Sequence, residues 1–94
     1  MRTIIWSRTF LRTYRRFIRK HPDQRSEIEK AIRLLAEDHL APQLKTHKLK
    51  GKLSGVWACS TGYDLRIIFD FVKEGGKKGE HIFLIEIGTH DEVY

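Results

Sequence analysis

Apolar residues recur at helical spacing along the first half of the chain and in short strand-like runs along the second. Phe10, Leu11, Tyr14, Phe17 and Ile18 fall at i, i+1, i+4, i+7 and i+8, the stripe of an amphipathic helix. Ser7 stands where an N-cap belongs. His21-Pro22 stops this helix, because a residue before proline resists the α region. Ile28, Ala31, Ile32, Leu35 and Ala36 mark a second helix that starts near Pro22 or Asp23 and is closed by Pro42. Ahead of both, residues 2–6 read as a first strand. Further strands are expected over 56–60, 64–72 and 81–87, with turn residues between them. The order β-α-α-β-β-β predicts an α+β fold. An N-terminal strand and a helical hairpin precede a three-stranded antiparallel meander, with the helices on one face of the sheet.

Composition narrows the class. Ninety-four residues make a single domain, 1–94. Ten aromatic residues beside a steady supply of Ile and Leu argue against disorder. No apolar run approaches the ~20 residues that span a bilayer, and the opening residues do not build a secretory core. A single cysteine makes neither an internal disulfide nor a cysteine-based zinc site. The histidines lack metal-site spacing and no Gly-rich phosphate loop is present. We therefore expect a cytoplasmic protein with no membrane association, no metal and no cofactor. A disulfide scaffold and a dinucleotide-binding enzyme are excluded.

Charge adds a partner class. The net charge is +6. Residues 1–20 carry seven Lys and Arg and no acid, and residues 41–60 carry four lysines and no acid. Two basic blocks of this kind suit a polyanion such as nucleic acid, or an acidic protein. One block puts Arg12, Arg15, Arg16 and Arg19 on the first helix. The other puts Lys45, Lys48 and Lys50 around His47.

Strand parity suggests where chemistry sits. Leu65, Ile67, Phe69 and Phe71 should meet the helices, while Asp64, Arg66, Ile68 and Asp70 face the open side. In the last strand Phe83, Ile85 and Ile87 fit the core face. Cleavage of a phosphodiester needs two proton-transfer groups and a cation at the developing charge. His47, His90, Asp64 and Arg66 are residues of the right types. Plainer roles also exist: Asp64 can cap a turn, Arg66 can pair with Asp64 or Asp70, and both histidines can be surface residues.

The run His47-Lys48-Leu49-Lys50-Gly51, then Gly55, then Gly62-Tyr63-Asp64-Leu65-Arg66-Ile67-Ile68-Phe69, and the end Ile87-Gly88-Thr89-His90-Asp91-Glu92-Val93-Tyr94, resemble the RelE/ParE toxin superfamily. The likeness is to its YafQ-like branch of type II toxin-antitoxin systems. It covers residues 44–94 by motif and the rest by architecture. What the resemblance implies is a metal-independent mRNA interferase, an endoribonuclease acting on the ribosome and held in a hetero-oligomer by a cognate acidic antitoxin. It further implies His90 and His47 as proton-transfer groups, Asp64 beside them and Arg66 on the scissile phosphate. Tyr94 would stack on or orient the RNA, Lys45, Lys48 and Lys50 would support phosphates, and the first helix would grip ribosomal RNA. Ser60 stands where the YafQ pattern has a further histidine. A hydroxyl there can bind phosphate but cannot shuttle protons near neutral pH. A ParE-like gyrase poison and an inactive antitoxin-binding relic remain as alternatives.

Overall fold

The computed structural model describes residues 1–51, 55–62, 64–73, 81–89 and 93. Strand β1 (Ile4–Trp6) leads into helix α1 (Arg8–Lys20), a 3-10 turn (Pro22–Gln24) and helix α2 (Arg25–Glu37). A second 3-10 turn (Pro42–Leu44) precedes β2 (His47–Lys48), β3 (Trp57–Thr61), β4 (Leu65–Val72) and β5 (His81–Thr89). The sheet order is β1-β5-β4-β3-β2, with β1 parallel to β5 and the remaining pairs antiparallel. This is the expected α+β arrangement. Among the described residues no helix is long and apolar enough to cross a membrane.

The ends of the helices follow from their sequences. Ser7 Oγ accepts the Phe10 N–H at 2.9 Å, which satisfies one of the open donors of the first turn. Pro22 fixes its own φ and starts a tighter turn, so α2 begins at Arg25, later than the sequence suggested. It also ends at Glu37, before Pro42, which opens a turn of its own. Residues 74–79, expected as a hairpin loop, lie outside the described residues.

One face of the sheet carries the main core. Phe10, Tyr14, Ile28, Leu35, Cys59, Ile67, Phe69, Ile82 and Leu84 are buried together there. Cys59 packs as a small apolar residue. Burial pushes its thiol up to about 12, so it is neutral and unreactive at ordinary pH. Tyr14 Oη reaches Glu29 Oε1 at 3.5 Å and ties α1 to α2. Burial first, and then the Glu29 carboxylate, raise the Tyr14 phenol.

Two expectations are corrected here. Strand β2 falls in the basic connection 43–55, for which the sequence predicts no element, being too polar and too broken for a long helix. It is two residues long and is held by pairing His47 with Ala58 and Lys48 with Trp57. The parity of β5 is also not continuous. A register shift at Ile68/Phe69 places Ile68 opposite Glu86 but Phe69 opposite Leu84, leaving Ile85 as the extra residue. A bulge of this kind resets the alternation. Ile87 faces the helices as expected, but Ile82 and Leu84 do so in place of Phe83 and Ile85. Ile85 packs instead against the second, smaller cluster of Ala58, Ile68 and Val93 on the open face.

Strand β1 covers β5 only as far as Leu84. Beyond that point α1 completes the edge. Ser7 N–H donates to the Leu84 carbonyl at 3.1 Å, Ser7 Oγ donates to the Ile85 carbonyl at 3.1 Å, and Ile87 N–H donates to Thr13 Oγ1 at 3.3 Å. Thr13 is buried in the middle of a helix because the bulged strand beside it has an amide to satisfy.

Candidate active site on the open face of the sheet

The open face has a small apolar floor and a polar rim. Ala58, Ile68 and Val93 are buried there, with Leu49, Val56 and Ile85 packed against them. Val93 is 7% exposed. Thr89 pairs with Leu65, and Val93 is buried on this floor.

Strand pairing brings three predicted residues to this face. Ser60 lies opposite Arg66, and Arg66 lies opposite Gly88. His47, opposite Ala58, is on the same face two residues along and two strands away. At ordinary strand spacing and rise, the Cα atoms of His47 and Arg66 are roughly 12 Å apart. Arg66 is half-buried, and its Nη1 donates to the Leu65 carbonyl at 3.3 Å. Among the described residues it forms no ion pair with Asp64 or Asp70. The two ion pairs there, Arg25–Glu29 and Lys30–Glu27, both belong to α2. Asp70 Oδ1 accepts the Phe71 N–H at 2.8 Å. Asp64 is exposed in the turn just ahead of β4.

The His47 ring is oriented by its own chain. Its Nδ1 is 2.9 Å from the Lys45 carbonyl. A carbonyl oxygen only accepts, so Nδ1 carries the proton and the neutral ring has its lone pair on Nε2. That tautomer accepts a proton at Nε2. Lys45 turns its carbonyl to this position by adopting a left-handed conformation, φ 49 and ψ 41. A non-glycine residue held there stores strain on the order of 1 kcal/mol. Such strain concentrates at functional sites.

Other predicted residues are dispersed. Lys48 is on the opposite face from His47, with its ammonium 5.7 Å from the centre of the Trp57 ring. The alternation within β2 sends neighbouring residues to opposite sides. Lys45 and Lys50 are exposed on either side of β2. Arg12, Arg15 and Arg19 line a shallow groove of about 450 Å³ on α1 together with Arg8, Leu11 and Arg16. That groove lies across the sheet from His47. His90 and Tyr94 lie outside the described residues. Sequence reasoning did not nominate Glu86, a carboxylate opposite Ile68 on the open face, diagonal to Arg66. Its parity made it readable. Among the described residues, no three His, Cys, Asp or Glu side chains gather as a metal site.

Comparison with solved structures gives the same fold. A metal-bound toxin from Helicobacter pylori is 28% identical over 100% of both chains, with a TM-score of 0.77. YafQ from E. coli strain BL21(DE3) is 17% identical over 100% of this chain and 99% of that one, with a TM-score of 0.78. The E. coli DinJ-YafQ toxin-antitoxin complex matches at 18% identity and a TM-score of 0.75, covering 99% of this chain and 97% of that one. Comparison with curated protein sequences gave no match. The model of the family described as the bacterial toxin of type II toxin-antitoxin systems, YafQ, matches residues 2–94. Nearly the whole chain is covered by that match, and the protein belongs to the YafQ family of type II toxins.

Proposed function

We propose that this toxin is an endoribonuclease that cleaves mRNA by transphosphorylation. The observation that carries the reading is the open face: Arg66 opposite Ser60, with the His47 ring held so that Nε2 accepts a proton. In the proposed reaction the 2′-hydroxyl of the RNA loses its proton to a base and its oxygen attacks the adjacent phosphorus. The bond from phosphorus to the 5′-oxygen breaks, and a general acid protonates that oxygen. The products are a 2′,3′-cyclic phosphate and a 5′-hydroxyl. His47 and His90 share the base and acid roles, with Asp64 beside them. Arg66, aided by Ser60, neutralises the charge that builds on the non-bridging oxygens. Lys45 and Lys50 hold flanking phosphates and Tyr94 orients a base. Lys48 contributes positive potential from the other side of the sheet.

We also propose that the α1 arginines grip ribosomal RNA and that translating ribosomes present the substrate. The neutralising partner is an acidic antitoxin, by analogy with the DinJ-YafQ complex. The test is primer extension on cellular mRNA after brief induction. Codon-phased cuts should appear with the wild type and vanish with His90→Ala and with an untranslatable message. Cuts without reading frame would make the protein a ribosome-independent nuclease. Growth arrest with intact mRNA and inhibited gyrase would overturn the nuclease reading in favour of a gyrase poison. Neither arrest nor cleavage would leave an antitoxin-binding relic.

A further inference from the structure

A second cavity, of about 280 Å³, lies between the C-terminal half of α1 and the end of β5. On the helix its wall is Thr13, Arg16, Phe17 and Lys20, residues at i, i+3, i+4 and i+7 of a single stripe. This stripe adjoins the groove that holds Arg12, Arg15 and Arg19, and Arg16 lines both. His21 closes one end, its ring 4.7 Å from that of Phe17. None of the described lining residues is acidic. On the strand the wall includes Gly88, the residue opposite Arg66. The open-face row Ser60, Arg66, Gly88 thus ends at this cavity.

We infer that this cavity is a nucleotide subsite, which takes the part of a single-stranded RNA that flanks the bond cut beside Arg66. It rests on the RNA-cleavage reading above. The volume approaches the lower end of small-ligand sites, about 300 Å³. The Phe17–His21 pair offers a ring platform, and base stacking on such platforms tolerates any sequence. Arg16 and Lys20 supply the backbone charge. From Ser60 to Gly88 is two strand spacings, roughly 10 Å, a distance that a short stretch of extended RNA spans. Lys20 also complements the negative end of the α1 dipole, so its loss must be separated from an effect on folding.

The test is fluorescence anisotropy with fully 2′-O-methylated single-stranded RNA, which lacks the attacking hydroxyl. A trinucleotide and a nonanucleotide are compared on the wild type and on a Lys20→Ala/His21→Ala variant, with thermal unfolding of both proteins. The wild type should bind the nonanucleotide more tightly than the trinucleotide. The variant should lose several-fold affinity for the nonanucleotide only. The magnitude of its log–log salt slope should fall by about 0.7 for the phosphate contact removed. A Lys20→Arg/His21→Tyr variant, which keeps a charge and a ring, should bind as the wild type does. Equal affinities in wild type and alanine variant overturn the inference. So does a wild type indifferent to length, an equal loss on both lengths, or a loss seen only against an acidic antitoxin peptide. Primer extension tests the cleavage reading separately: length-dependent binding without cleavage would sink that reading and leave the subsite.

Discussion

The two faces of the sheet divide the labour of this small domain unequally. The helix face buries Phe10, Ile28, Leu35, Ile67, Phe69, Ile82 and Leu84 under two helices. The open face buries only Ala58, Ile68 and Val93, and surrounds them with His47, Ser60, Arg66, Asp70 and Glu86. Apolar burial at about 25 cal/mol per Å² therefore accrues almost wholly on one side. The other side holds charge and the strained Lys45 beside it. Substitutions on the two faces should consequently fail in different ways.

Phe69→Ala should separate the faces most sharply. Phe69 is fully buried and packs edge-on against Phe71 at 5.6 Å. Its loss should cost about 3–5 kcal/mol in urea unfolding, enough to leave much of a small domain unfolded. Arg66→Ala should do the reverse. Cleavage should fall by roughly 10²–10³-fold, while the urea midpoint stays within about 0.5 kcal/mol of wild type. A variant that unfolds as readily as Phe69→Ala would show that the faces are not divided as argued.

Ser7→Ala tests the joint between helix and sheet. It removes both the cap to Phe10 and the bond to the Ile85 carbonyl. A loss of about 1–2 kcal/mol is expected, measured by urea unfolding. At neutral pH the smallest effect belongs to Cys59. Its folded pKa, about 12, is above the reference value of 9.0. Below pH 9 the thiol is neutral in both states and stability does not depend on it. Between pH 9 and 12 the unfolded chain releases the proton and the folded chain keeps it, so stability falls as pH rises. The slope approaches at most about 1.4 kcal/mol per unit. Cys59→Ala should remove this contribution from the alkaline limb, with the residual slope from Tyr14, whose phenol is raised in the same direction. In the native protein Cys59 should also resist alkylation at pH 8 until denaturant is added.

How much of this was legible depends on contrast between neighbouring residues. Helix α1 was readable because aromatic residues alternate with arginines, and Ser7 signalled its start. The inward set Leu65, Ile67, Phe69 and Phe71 was readable because Arg66 and Asp70 interrupt it. Residues 82–85 are apolar throughout, so nothing in them shows which side is inward, and the bulge at Ile85 could not be inferred. Strand β2 escaped notice because pairing with β3, not propensity, makes it a strand. Arg66 fell on the open face through parity alone, whereas Ser60 opposite it and the opposite directions of His47 and Lys48 needed the strand pairing to be known. Thr13 was silent for a different reason. The amide it satisfies, that of Ile87, is 74 residues away in the chain.

That last contact bears on how the molecule behaves at high concentration. Open strand edges recruit further copies because a row of donors and acceptors awaits a matching row. On one side of this sheet β1 takes the first part of the β5 edge, and Ser7 and Thr13 then occupy positions that another backbone would need. On the other side β2 presents two residues, too few to template a ladder. Among the described residues the exposed part of the β5 edge is capped by side chains and the β2 edge is short. Both features disfavour edge-to-edge stacking into fibres.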